Sequence, residues 1–362
     1  MTAYDRYKIR PRILRNVSNV DTSAEIFGKK ITFPCGFSPS AMHCLAHKDG
    51  ELATSRAAAK MGIPMALSSY ATTSLEDVIV EGTGNPYMMQ MCIVKDRNIT
   101  MQLLKRAESK WHKHDRTPWS SADMSPGAGY RALFLSVDVP VLGRRLGEMR
   151  SNFTLPKSMS FPNLLSEGHD EFGAPDGKNN GPQAFDDTLE WEEIIPWLKA
   201  NTKMQIWLKG ISSPEDVEQA IAADVDGVVI SNHGGRQLDG VPATLDSLRQ
   251  CAPIAKGHIQ IAVDGGIRRG SDIFKAIALG ADFCFLGRIA IWGLAVSEVT
   301  LMRHIPYTNL VQYKGQQGVE LAIKILLEEF KSTMALAGCR SVAEITRNHL
   351  SVLKNNGILA KL

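Results

Sequence analysis

Short apolar runs alternate with stretches of helical periodicity along most of the chain. The runs at 32–37, 65–68, 88–92, 132–137, 205–208, 227–230, 260–263 and 283–286 are strand-length, and turn residues or polar clusters bound them. Between them, Leu52, Ala53, Ala57 and Ala58 predict a helix over 49–62. Ser213 reads as an N-cap, with Pro214 at the first helical position and Glu215 and Asp216 in the first turn. A short amphipathic helix is expected over 272–279, ending at Gly280. Two more are expected over about 317–337 and 342–350. Strands alternating with helices imply parallel βα units, and eight of them imply a closed TIM-type (β/α)8 barrel, class α/β. An open doubly wound sheet is the structural alternative, but its Gly-x-Gly-x-x-Gly turn after a first strand is missing.

Two segments break the rhythm. Residues 111–128 are rich in His, Ser, Pro and Gly and lie between a helix and the strand that follows. They read as a surface insertion on the face opposite the active site. Residues 156–187 are polar and glycine-rich, and they follow the fourth strand. A loop of that length on the catalytic face is a substrate lid or a disordered connection. The whole of 1–362 is expected to form one barrel domain.

Composition narrows the classes. Hydrophobic residues make up 44% and charged residues 22% of 362, the balance of a soluble globular enzyme. The net charge is +3, without a long basic run, so nucleic acid is not an expected partner. No apolar stretch reaches membrane-spanning length. The six cysteines show no Cys-x-x-Cys pair and no zinc spacing, so free thiols are expected and no metal. The first residues have no apolar core for a secretory signal, and the chain ends in Ala360-Lys361-Leu362. That tripeptide is close to a peroxisomal address; a peroxisomal or a cytoplasmic location is expected.

Polar groups gather where the strands end. The ends carry Ser38-Pro39-Ser40-Ala41, Ser68-Ser69-Tyr70, Gln90, Asp138, Lys209, Ser231 with His233 and Arg236, Asp264-Gly265-Gly266 with Arg268, and Gly287-Arg288. In a barrel the C-terminal strand ends are where ligands bind. The last two loops, with their glycines and with Arg268 and Arg288, suit a phosphate-bearing cofactor. Lys209 can form a Schiff base or stabilise negative charge on a cofactor, and the residues alone leave both open. His233 is the best general base, with Asp138 to orient it and to stabilise the imidazolium. Arg145 and Arg236 can clamp a carboxylate by bidentate contacts. A base beside a carboxylate clamp implies attack at the carbon α to that carboxylate.

These residues carry a resemblance. Arg10-Pro11-Arg12-Ile13-Leu14, Ser38-Pro39-Ser40-Ala41-Met42, Lys95-Asp96-Arg97-Asn98, Leu142-Gly143-Arg144-Arg145, the string Ser231 to Asp239, and Asp264 to Gly270 resemble the FMN-dependent L-2-hydroxy acid oxidases and dehydrogenases. The resemblance covers nearly the whole chain apart from the insertion and the loop at 156–187. It implies FMN as cofactor, with Ser40, Ala41, Ser68, Gln90, Ser136 and Lys209 facing the flavin and its ribityl chain. Ser231, Asp264, Gly265 and Gly266 join the cofactor set, and Lys209 stabilises the anionic reduced flavin. Arg268, Gly287 and Arg288 bind the phosphate. His233 takes the proton with Asp138 assisting, and Arg145 and Arg236 hold the carboxylate of a small 2-hydroxy acid. Electrons pass from the flavin to oxygen or another acceptor, and Ala41 is compatible with oxygen. A homo-oligomer is a further implication, since members are often tetramers.

The chain departs from the family in three places. The family's N-terminal helical segment covers the barrel bottom and carries a substrate tyrosine. Tyr4 and Tyr7 lie too near Arg10-Pro11-Arg12 to replace it, so an open barrel bottom with exposed apolar surface is expected. Cys92 stands where members usually have a second substrate tyrosine, and a thiol is a weaker donor. Tyr70 stands where glycolate oxidase has a tryptophan. Alternatives to a 2-hydroxy acid oxidoreductase are therefore an FMN-binding homologue with weak or altered catalysis, and a phosphate-sugar barrel enzyme without flavin.

Overall fold

The computed structural model describes residues 3–82, 84–109, 129–164, 184–296, 315–353 and 359–361. Eight strands form a closed parallel barrel: β1 (Cys35–Phe37), β2 (Met65–Ser68), β3 (Tyr87–Met91), β4 (Ala132–Ser136), β5 (Gln205–Ile211), β6 (Gly227–Ile230), β7 (Gln260–Asp264) and β8 (Phe283–Leu286). Strand β8 closes onto β1 through Cys284 opposite Cys35 and Leu286 opposite Phe37. Almost every strand residue is buried, because helices cover the outside while side chains fill the inside. Besides a single turn at Ala3–Arg6, the helices among the described residues are α1 (Gly50–Met61), α2 (Leu75–Glu81), α3 (Arg97–Glu108), α4 (Leu146–Ser151), α5 (Trp191–Asn201), α6 (Pro214–Ala222), α7 (Thr244–Ala255), α8 (Gly270–Leu279), α9 (Arg288–Ala295) and α10 (Gln316–Ala337). Ser213 caps α6 as its sequence suggests, accepting from the Asp216 amide at 3.2 Å.

One expected helix is not formed. Residues 342–350 make two short 3-10 turns, Val342–Glu344 and Arg347–His349, and then a strand, Leu350–Leu353. The Thr346 amide donates to His349 Nδ1 at 3.2 Å, which favours a turn there. The strand pairs antiparallel with Tyr7–Ile9 on one side and Leu359–Lys361 on the other. Strand partners distant in sequence override the local helical pattern.

The barrel bottom is also not open. A hairpin, Ala24–Ile26 with Lys29–Ile31, lies across it. Its turn uses positive φ at both central residues, 52° at Phe27 and 71° at Gly28, which suits the twist of a two-residue hairpin. Ile26 and Ile31 are buried in one cluster with Phe134, Trp207, Phe283 and Phe285 of the barrel interior. The Phe27 ring meets the Trp207 ring edge-on at 6.0 Å. Gly227 makes room for that indole, since a Cβ there would overlap it.

The insertion at 111–128 and the centre of the expected lid lie outside the described residues. The two ends of the 156–187 segment are anchored. Phe161, Leu164 and Phe185 are buried, and Asn163 accepts from the Leu75 amide at 2.8 Å and donates to Thr73 O at 3.1 Å. Among the described residues no helix is long and apolar enough to cross a membrane, and all six cysteines are free.

Candidate active site

Side chains alternate across a strand with period two, so an inward-facing residue is followed by another inward one two places on. This parity carries the interior from apolar to polar. Phe134 leads to Ser136 and Asp138, Trp207 to Lys209, Val229 to Ser231 and His233, and Ala262 to Asp264. Ser68, Gln90, Ser136, Lys209, Ser231 and Asp264 are all buried.

Lys209 sits at the centre of this layer, 3% exposed. Its Nζ donates to Ser231 Oγ at 3.0 Å and pairs with Asp264 Oδ2 at 3.3 Å. Ser38 Oγ donates to the same carboxylate oxygen at 2.8 Å. Asp264 Oδ1 is buried with no hydrogen-bond partner among the described residues. The ion pair suits a lysine that supplies charge, the second of its two sequence readings. Asp264 acts on the lysine and Ser38, a placement that sequence spacing did not show. Gln90 Nε2 donates to Ser136 Oγ at 3.1 Å. Ser40 Oγ donates to Ser38 O at 3.4 Å, and Ala41 is half-buried beside it.

His233 is held from two directions. Its amide donates to Ser231 Oγ at 3.2 Å, and its Nδ1 lies 3.2 Å from Asp138 Oδ1. A carboxylate can only accept, so the pairing places the proton on Nδ1 and leaves the Nε2 lone pair for chemistry. The backbone of His233 has φ 54°, left-handed and strained for a non-glycine residue. Gly210 admits the carboxylate: a Cβ there would lie 2.6 Å from Asp138, and its φ of 116° excludes other residues.

Gln237 joins the loops after β4 and β6. Its Nε2 donates to Asp138 O at 3.0 Å and Val141 O at 2.9 Å, and its Oε1 accepts from the Gly143 amide at 3.0 Å. The tie brings Arg145 and Arg236 together. Burial lowers the Arg145 pKa, and the Arg236 charge lowers it further. Glu148 bridges both guanidiniums, 3.5 Å from Arg145 Nη1 and 3.0 Å from Arg236 Nη2. Its role escaped the sequence reading; the only signal was its place three residues after Arg145.

Tyr70 forms the wall beside them. Its amide donates to Ser68 Oγ at 3.1 Å, and its ring meets Phe161 and Phe185 edge-on at 5.5 and 6.2 Å. Ser68 pairs with Gln90 across β2 and β3, and Tyr70 and Cys92 follow just past these strand ends, near enough to interact electrostatically. Burial drives the Tyr70 phenol pKa upward, Cys92 pushes the same way, and the Arg145 guanidinium pulls it back. The phenol is therefore a proton donor at neutral pH. Burial, with Asp138 adding to it, pushes the Cys92 thiol up to about 12. Tyr4 does not reach this pocket; its hydroxyl donates to Gly265 O at 3.1 Å. Tyr7 donates to Asp246 at 2.8 Å.

At the far rim, Gly265 and Gly266 turn with φ 90° and 76°. Arg288 begins α9, is exposed, and donates to Gly234 O at 3.4 Å. The Arg268 side chain is exposed, while its amide is committed to Asp272 at 3.0 Å. Gly287 lies against Ser40, with 3.6 Å from a Cβ position there to Ser40 Oγ.

Glu51, at the start of α1, was also missed. It is fully buried, and its carboxylate accepts from the amides of His43 (3.0 Å) and Thr72 (2.9 Å) and from the Thr73 hydroxyl (2.8 Å). It fastens the loop carrying Ser40 and Ala41 to the loop carrying Tyr70. In sequence it is only an acidic residue in a first helical turn.

A sequence profile of FMN-dependent dehydrogenases matches residues 1–352. Oxidase FUB9 of Fusarium oxysporum f. sp. lycopersici is 48% identical over 359 residues, covering 99% of this chain and 84% of the relative. 2-Hydroxyacid oxidase 1 of Mus musculus is 40% identical over 353 residues, covering 95% and 85%. Among solved structures, mandelate oxidase with benzoyl-formic acid aligns with TM-score 0.77 at 32% identity, covering 100% of this chain and 89% of that one. A tyrosine-to-phenylalanine variant of mandelate oxidase with a C4a-OH-FMN adduct aligns with TM-score 0.77 at 32% identity, covering 97% and 89%.

Proposed function

The chain belongs to the family of FMN-dependent dehydrogenases, and from that premise we propose that it oxidises an L-2-hydroxy acid to the 2-keto acid with His233 as base. It is an oxidoreductase acting on CH–OH donors, with FMN as cofactor. The residues present fit that cofactor. A buried ammonium, Lys209, is ringed by Ser68, Gln90, Ser136 and Ser231, and the glycine turn at 265–266 faces the rim where Arg268 and Arg288 are exposed. Lys209 and its polar ring would hold the flavin, and the two arginines with Gly287 its phosphate. When bound, FMN supplies the two-electron acceptor that no side chain can provide.

The observation that carries the reading is the His233–Asp138 pair, 3.2 Å apart, beside two guanidiniums at the mouth of the barrel. Arg145 and Arg236 bind the substrate carboxylate and so set the α-carbon and its hydroxyl before the imidazole. His233 Nε2 takes the proton of the reaction, and Asp138 steadies the imidazolium that results. The Tyr70 phenol, protonated and beside Arg145, donates to the substrate head where Cys92 offers only a weak thiol. Relatives named as oxidases support oxygen as the second substrate.

The test is anaerobic reduction of the FMN-loaded protein with L-2-hydroxy acids of rising size, followed by admission of oxygen. Bleaching by at least one acid and recovery of colour in oxygen are expected. His233→Gln should keep its FMN and lose roughly 10²- to 10⁴-fold in reduction rate. A yellow protein that no acid bleaches rules the reading out.

A further inference from the structure

We propose that Glu148 is a specificity-determining residue: it neutralises half of the arginine clamp and so selects substrates with a single carboxylate. The inference rests on the reading of Arg145 and Arg236 as that clamp. The fold forces two like charges together through the Gln237 tie, and the repulsion is one cause of the lowered Arg145 pKa. Glu148 answers with one oxygen to each, Oε2 to Arg145 at 3.5 Å and Oε1 to Arg236 at 3.0 Å. The trio therefore presents one net positive charge, which matches one carboxylate.

A second carboxylate on the same ligand would find no net positive charge left in the trio and would be repelled by Glu148. Like-charge placement of this kind discriminates by repulsion, without any added attraction to the preferred ligand. The helix carrying Glu148, α4, buries none of its residues, so the position is not explained by packing. Side-chain exposures of 41% for Glu148 and 46% for Arg236 keep the effect modest, because solvent screens the charges.

The test uses FMN-loaded protein and follows the flavin absorbance on titration with pyruvate, which has one carboxylate, and 2-oxoglutarate, which has two. Three proteins are compared: wild type, Glu148→Gln and Arg145→Met. Glu148→Gln should bind pyruvate roughly threefold tighter and 2-oxoglutarate roughly tenfold tighter, and both gains should shrink at high salt. A role in merely supporting α4 would not produce that salt dependence or that difference between ligands. Arg145→Met should weaken both ligands; unchanged binding in it overturns the clamp itself. Weakened binding in Arg145→Met with Glu148→Gln equal to or weaker than wild type overturns the Glu148 proposal alone.

Discussion

At its lower end the barrel interior holds Phe134, Trp207, Val229 and Ala262; two residues further along the same strands it holds Ser136, Lys209, Ser231 and Asp264. The lower layer packs by ring contact, Phe134 on Trp207 at 5.7 Å and on Phe285 at 5.2 Å, and the 24–31 hairpin closes it. The upper layer is joined by hydrogen bonds and one buried ion pair. The lower layer gains from leaving water, which requires only volume and shape. The upper layer must satisfy each polar atom, and two carboxylate oxygens in it, Asp138 Oδ2 and Asp264 Oδ1, have no partner among the described residues. Apolar packing is concentrated at one end and polar, titratable groups at the other, within one continuous set of strands.

The largest effect that would break this contrast lies at the lower end. Trp207→Ala removes the ring shared by Phe27, Phe134 and the space over Gly227, and should cost roughly 3–5 kcal/mol in a chemical denaturation curve. If that protein unfolds at the wild-type midpoint, the lower layer is not the stabilising half.

Next comes the upper end's own anchor. Burial alone would push the Glu51 carboxyl up, but the His43 imidazole and the amides of Thr72 and His43 outweigh it and hold the carboxyl below the usual range. A carboxyl depressed by folding stabilises above its unfolded value and loses that contribution as pH falls through the folded value. Burial also pushes His43 down, so its protonation in acid acts in the same direction. Glu51→Gln should cost about 1–3 kcal/mol at neutral pH and flatten the acid limb of a stability-versus-pH profile. An acid limb as steep as wild type would assign the acid sensitivity elsewhere.

The smallest effect sharpens the contrast within the site. Tyr70→Phe keeps the ring against Phe161 and Phe185 and removes only the hydroxyl. Melting temperature should hold while the anaerobic reduction rate falls about tenfold, or ~1.4 kcal/mol of transition-state stabilisation. An unchanged rate would make Tyr70 a packing residue like those below.

The barrel was legible because each strand announces itself locally, as a short apolar run between turn signals. The polar groups at the strand ends were legible for the same reason, since parity along one strand fixes what lies above what. His233, Asp138 and Arg236 follow from residue type at the strand ends, whereas Arg145 lies nine residues beyond its strand. The hairpin was not, because Phe27-Gly28 is an unusual turn and its strands are three residues long with charged outward positions. The helix expected over 342–350 failed because its fate is decided by Tyr7–Ile9, more than three hundred residues away.

The sequence by itself determined the order of strands, the inward parity of each, and the supply of an imidazole, a lysine and two guanidiniums at one end of the barrel. Periodicity and turn chemistry are local, and local information is enough for that. Only the tertiary structure decided which charges face each other: Lys209 with Asp264, Glu148 between Arg145 and Arg236, Glu51 across two loops, and Tyr70 near Cys92. Coulomb and hydrogen-bond energies fall off within a few ångströms, so they depend on distances that barrel closure sets and that spacing along the chain does not encode.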